Sequence, residues 1–237
     1  MSKVAVIAGV GAGLGASLVR KFARQGCKVG MLARFADYMQ ELATELEQEG
    51  LTALSLPTDI TDPEKVKVAF AQVRQQLGPV DILINHAGNA VWKDFADLTP
   101  DDLEKSWRLC AYGSFLCSQE AMGDMLASGG GAMLFTGATS SIRGKAGGLA
   151  FSSAKFAVRG LAESLARELW PKGIHVAHII IDGWLATPTV LEQNPNSDEP
   201  MLDTDAVADS YWALAQQDRK AWTFEIEMRP YDEEFFV

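Results

Sequence analysis

Four glycines at alternate positions dominate the stretch Ala8-Gly9-Val10-Gly11-Ala12-Gly13-Leu14-Gly15. An apolar run precedes it, and an amphipathic segment with Leu14, Leu18, Val19 and Phe22 on one face follows. Glycines so placed let the backbone turn tightly and approach a pyrophosphate, while the next helix directs free N–H groups and its positive dipole end at the anion. The stretch therefore reads as a dinucleotide-binding turn. The next apolar run ends at Ala33-Arg34. A carboxylate there would accept hydrogen bonds from the ribose hydroxyls of NAD, whereas a guanidinium can hold a 2′-phosphate bidentately. NADP(H) is the expected cofactor and NAD(H) the alternative; Arg34 as a mere surface charge is the bland reading. His175 and His178 lie three apart on a strand-like run and point to opposite faces, so no metal is expected. Cys27, Cys110 and Cys117 are odd in number and form no CxxC, which suggests reduced thiols.

Such a turn works only if a strand and a helix hold it. Runs rich in Val, Ile and Leu fall near 3–8, 28–33, 52–57, 80–86, 131–137, 174–181 and 222–228, with helix-period segments between them. Continuously apolar strands suit a parallel sheet covered on both faces. The expected fold is α/β: a Rossmann-type, doubly wound, seven-stranded, mainly parallel sheet. Thr61-Asp62-Pro63-Glu64 opens one helix and Gly78-Pro79 closes it. No low-complexity linker divides the 237 residues, so one domain spanning 1–237 is expected. Its longest irregular stretch, 187–204, is either a substrate lid or a solvated connection. A formal charge of −10 argues against nucleic acid and anionic lipid as partners. The absence of a long apolar run or signal-peptide start points to the cytoplasm and away from a membrane.

Further motifs follow in order: Thr58-Asp59-Ile60-Thr61, Asn85-His86-Ala87-Gly88, Phe151-Ser152-Ser153-Ala154-Lys155, Asp182-Gly183 and Thr187. Together with the glycine turn they resemble the short-chain dehydrogenase/reductase family over nearly the whole chain. The family pattern TGxxxGxG is met by Gly9, Gly13 and Gly15, with Ala8 in place of the threonine. The resemblance implies cofactor contacts from Gly9, Gly11, Gly13, Leu14, Gly15, Arg34, Asp59, Ile60, Asn85, Ala87, Gly88, Lys155, Asp182, Gly183 and Thr187. It also implies hydride transfer between nicotinamide and a small carbonyl or alcohol. In the family a tyrosine acts as acid or base, a lysine lowers its pKa and holds the nicotinamide ribose, a serine binds the substrate oxygen, and an asparagine supports a proton relay.

Three of those four positions are changed. The tyrosine position is Phe151, the serine position Ala138 and the asparagine position Cys110. Phenylalanine has no proton to give and alanine no hydroxyl. Only Lys155 survives. Replacement donors in sequence reach are Ser140 and Ser141, with Thr139 in the same loop, Tyr112, and Lys155 acting directly or through water. Each has a plainer role: the serines satisfying loop backbone groups, Tyr112 packing beside Phe115 and Leu116. His86 either tunes the cofactor or is structural, and Asp182 either binds a carboxamide or caps its turn. The expected function is an NADP(H)-dependent oxidoreductase with a non-standard proton donor. The alternative is an NADP(H)-binding sensor that has lost turnover; non-redox chemistry on the same scaffold is a weaker third reading.

Helical segments 101–126 and 150–170 correspond to the helices that form a four-helix interface in most members of that family. Leu103, Trp107, Phe115, Leu116, Met122, Phe156, Val158, Leu161 and Leu165 exceed what one sheet face requires, so a homodimer or homotetramer is expected. Residues 221–229 alternate as an edge strand, and Asp232-Glu233-Glu234 reads as a solvated acidic tail.

Overall fold

Residues 2–233 are described by the computed structural model. The chain runs β1 (Val4–Ala8), α1 (Leu14–Arg24), β2 (Lys28–Ala33), α2 (Asp37–Gln48), β3 (Ala53–Pro57) and α3 (Pro63–Gln76). It continues through β4 (Ile82–Asn85), α4 (Pro100–Trp107), a π-helical turn (Arg108–Tyr112), α5 (Gly113–Ala127), β5 (Gly131–Thr136) and α6 (Leu149–Leu169). Then come β6 (Ile174–Ile181), β7 (Trp184–Leu185), α7 (Pro188–Gln193), β8 (Met201–Leu202), α8 (Thr204–Ala215) and β9 (Glu225–Met228).

Seven strands form one parallel sheet in the order β3-β2-β1-β4-β5-β6-β9, the doubly wound architecture expected. Chain order reverses between β1 and β4, and the crevice beyond their carboxyl ends is where such sheets take ligands. Both faces are covered because the strands are apolar on both. Phe70, Phe135, Val158 and Ala162 belong to one buried layer, Phe22, Leu42, Leu134 and Tyr211 to the other. Asp62 caps α3 by accepting from the N–H groups of Glu64 and Lys65, with Pro63 where its missing N–H costs nothing.

Several boundaries and exposures differ from expectation. Segment 101–126 is helical as expected, with a π turn between α4 and α5; at that junction Gly113 packs tightly on Ile60, and a Cβ there would lie 2.7 Å from Ile60 Cδ1. Segment 187–204 carries α7 and β8, and β8 pairs with β7 in a small parallel ribbon. The last strand begins at Glu225, because Trp222 stacks on His175 instead of joining the sheet, their ring centres 4.9 Å apart. Leu116 and Val158 are core residues; of the apolar set on these helices, Leu103, Trp107, Phe115 and Phe156 are the exposed ones. Glu233 is half-buried and pairs with Arg229 at 3.6 Å rather than standing in solvent, while Glu234 lies outside the described residues.

Candidate active site

The glycine turn is shaped by close approaches. Gly9 has φ +105°, and a Cβ there would meet the Ala87 backbone at 2.5 Å. A Cβ on Gly15 would strike the Gly9 carbonyl oxygen at 2.6 Å, and one on Gly13 would meet Thr187 Cγ2 at 2.6 Å. Gly11, by contrast, faces open space. No side chain caps the N-terminus of α1 and no acid lies in its first turn, whereas α3, α4 and α8 are capped by Asp62, Thr99 and Asp203. Open backbone at a helix N-terminus without a competing carboxylate fits a bound pyrophosphate. At the far end, exposed Arg34 sits 5.5 Å over the Phe35 ring. Asp59 accepts from Thr61 N and Oγ1 at 3.0 and 2.8 Å; these bonds, aided by the charges of Lys65 and Arg34, hold its carboxyl below the usual range. Leu14, Ile60 and Asn85 turn their side chains into the core, Asn85 Nδ2 donating to Ser118 Oγ at 3.1 Å, so any ligand meets only their backbone.

A cavity of about 710 Å³ opens beyond β4, β5 and β6. Lys155, buried, lines it and donates from Nζ to the Thr136 carbonyl at 2.7 Å. Its ammonium lies 5.7 Å over the Phe151 ring, and burial pushes its pKa down. A Cβ added to Gly88 would sit 3.5 Å from Lys155 Nζ and 3.6 Å from Cys110 Sγ, so the lysine and the asparagine-position cysteine meet beside this glycine. Ala138 and Phe151 both line the cavity. The two positions that the resemblance aligns with the family's serine and tyrosine thus share one cavity.

Of the expected alternative donors, the fold brings Ser140 and Lys155 into the cavity. Ser140 is buried, and its hydroxyl makes no hydrogen bond to another described residue. Ser141 lies behind it and accepts from Ala138 N–H at 3.1 Å, the plainer role open to a loop serine. Tyr112 is not part of the cavity: the π turn aims it between Trp107 and Phe115, with Arg108 over its ring. Thr139 donates to Asp182, which also accepts from Arg143 and Arg229. Asp182, which also lines the cavity, is therefore already held by three side chains. Gly183 and Thr187 line the same wall.

Sequence reasoning did not single out Trp92, Arg143, Lys145, Trp184 or Arg229, all of which line the cavity. No motif marks them, because each is contributed by a loop or strand end whose place on the wall depends on the fold.

The three histidines are all held below the ordinary imidazole range. His86 shares the cavity wall, contacts Thr136 Oγ1 through Nδ1 at 3.2 Å, and is pushed down to about 4 by burial and then by the Lys155 charge. Burial also lowers His175, held between the Leu214 and Thr223 carbonyls, and His178, which faces Glu225 from the opposite side of the sheet. An unfolded chain protonates each near pH 6.5, but native His86 stays neutral until about 4. The stability from its neutral form is present above 6.5 and is lost as pH falls toward 4, by up to about 1.4 kcal/mol per pH unit per histidine. Urea midpoints should drop between pH 6.5 and 4.5, and less steeply in His86→Gln. Identical slopes in the two proteins would remove His86 from this account.

Residues 3–198 match the short chain dehydrogenase family. A 3alpha-hydroxysteroid dehydrogenase of Mediterraneibacter gnavus is 35% identical over 178 residues, covering 74% of this chain and 71% of that protein. A crystal structure of a short-chain dehydrogenase from Rhodopseudomonas palustris is 34% identical, with TM-score 0.85 over 97% of this chain and 99% of the other. The L-sorbose reductase of Gluconobacter frateurii, crystallised with NADPH and L-sorbose, is 23% identical with TM-score 0.89 over 97% and 95% of the two chains, a likeness of fold. With more than half its length matched by the family and a relative above the level where fold and descent coincide, the chain belongs to the short-chain dehydrogenases and is an oxidoreductase of that type.

Proposed function

We propose that this protein is an NADP(H)-dependent reductase or dehydrogenase of a small carbonyl or alcohol, working without the usual tyrosine and serine. One observation carries the reading: the buried Lys155 ammonium lies in a cavity that adjoins the glycine turn, since its lining residue Thr187 packs against Gly13, and Ala87, between the lining residues His86 and Gly88, packs against Gly9. When bound, reduced nicotinamide supplies the hydride that, with one proton, converts a carbonyl to an alcohol. Lys155 anchors one N–H on Thr136 and keeps the others for a ribose hydroxyl. It also holds the proton destined for the substrate oxygen, delivered directly, by water or through Ser140, whose unengaged hydroxyl favours it over Ser141 and Tyr112. Arg34 at the end of β2, beside Asp59 and with no acid in its place, supports the preference for the 2′-phosphate.

The sensor reading rests on a different observation. Phe151 packs on Trp92 at 6.3 Å and Ala138 lines the same cavity, so the family's two hydroxyl positions are apolar. Carbonyl-dependent NADPH consumption would exclude it.

Both buried layers pack on one sheet, which supports a single domain across the described residues. Thr187 and Val190 on the cavity wall support a lid role for 187–204. Exposed Trp107, Phe115 and Phe156 support a homodimer or homotetramer. No described helix is long and apolar enough to cross a membrane. Burial raises the Cys27 and Cys117 thiols to about 11 and about 12, and all three cysteines are free and buried, in keeping with a reducing cytoplasm.

Titration with NADPH and NADH, followed by nicotinamide fluorescence, tests the cofactor. Arg34→Ala should weaken NADPH by about 10–100-fold, the worth of a charge-assisted bidentate contact, and change NADH by less than about twofold. If neither nucleotide bound, both the redox and the sensor readings would fall.

A further inference from the structure

The cavity wall departs in charge from the rest of the molecule. A chain of formal charge −10 repels anions overall, yet among the described residues Arg143, Lys145, Lys155 and Arg229 line this space against only Asp182 and Glu233. Arg229 is absorbed by Asp182, Glu227 and Glu233. Arg143 is not absorbed in the same way. It shares Asp182 with Arg229 and Thr139, and its Nε is buried without a hydrogen-bond partner. Lys145 is exposed, forms no ion pair with a described residue, and sits 5.8 Å over the Trp92 ring. Net positive charge thus gathers on the loop that follows β5, against low-dielectric walls that focus its field.

The other wall is aromatic. Trp92 and Trp184 are 50% and 56% exposed, and with Phe151 they line the cavity as a group of aromatic rings. Large rings left half in water on a concave surface are normally covered by a ligand.

Resting on the reading of Lys155 as the reaction centre, we propose that the substrate is a flat, apolar carbonyl compound with a carboxylate or similar anionic end. Its body lies against Trp92, Phe151 and Trp184, its carbonyl reaches the Lys155 end, and its anion is held by Arg143 and Lys145. Arg143, with a planar fork already anchored on Asp182, supplies directional hydrogen bonds, and Lys145 adds a point charge at the mouth.

The test uses the full chain with NADPH and a matched pair of probes, 4-acetylbenzoate and its methyl ester. The acid should be reduced with kcat/KM about tenfold or more above the ester, and the advantage should shrink in Lys145→Gln, where Arg143 alone remains, and as salt is raised. Calorimetric titration of the acid into the protein reads binding without turnover, and Lys145→Gln should weaken it about tenfold. Equal use of acid and ester, or a preference unchanged in Lys145→Gln, overturns the proposal while leaving the reductase reading intact. If neither probe consumes NADPH but the acid binds and Lys145→Gln weakens it, the anion site stands and the hydride-transfer reading fails.

Discussion

Installing both missing hydroxyls, Ala138→Ser with Phe151→Tyr, is expected to raise kcat for NADPH-dependent carbonyl reduction by about 10²–10⁴-fold, the usual worth of a positioned general acid. The scaffold for such a gain is in place. Both residues line the cavity, and Phe151 precedes Lys155 by one helical turn, with the ammonium 5.7 Å from its ring centre. A phenol oxygen on a ring that lines the cavity can be solvated there, so it needs no buried partner, and the neighbouring cation lowers its pKa toward the working range. The two changes should be more than additive, because a serine that orients the substrate oxygen helps most when a proton donor faces it. NADPH absorbance against a panel of carbonyls gives the answer. Should the double variant lose activity that the parent has, the Phe151 ring itself would be part of the working site, and proton delivery would run through Lys155 and Ser140.

Lys155→Met should lower kcat/KM by at least about 10²-fold, comparable to removing one preorganised charged donor from an active site. Methionine matches the lysine stem in length and removes a buried charge, so the fold should persist, as near-ultraviolet circular dichroism can confirm. The pH profile separates this from a structural effect. Burial lowers the Lys155 pKa, so the protonated form is lost as pH rises through a value below the ordinary 10.5. The parent rate should decline on the alkaline side within that range, and Lys155→Arg, always protonated, should shift the decline upward. An alkaline limb that stays in place in Lys155→Arg would assign the titration to another group. If Lys155→Met leaves NADPH bound and turnover unchanged, the lysine serves the cofactor site only as packing.

Much of the architecture is legible in the order of residues alone. Seven apolar runs of strand length separated by helix-period segments already specify a covered parallel sheet, because such patterns sum hydrophobic preference over many residues and tolerate an error of one position. The glycine turn is legible for a similar reason: backbone contacts such as Gly9 against Ala87 and Gly15 against the Gly9 carbonyl admit almost no other residue. That Phe151 and Ala138 themselves supply no proton is also plain, since a phenyl ring or a methyl group cannot donate one in any fold. Tertiary structure decided where individual side chains point. Tyr112 could be placed on a helix but not aimed, because one extra residue in a π turn rotates the succeeding side chains by about 100°. Ser140 and Ser141 are neighbours in sequence, yet one faces the cavity and the other closes the turn behind it. Arg143, Asp182 and Arg229 come from three separate segments, and their union on one wall depends on β5, β6 and β9 lying side by side. Local sequence determines which elements form and which chemistry is absent; which charges share a cavity is set by long-range packing, whose geometry no short motif encodes.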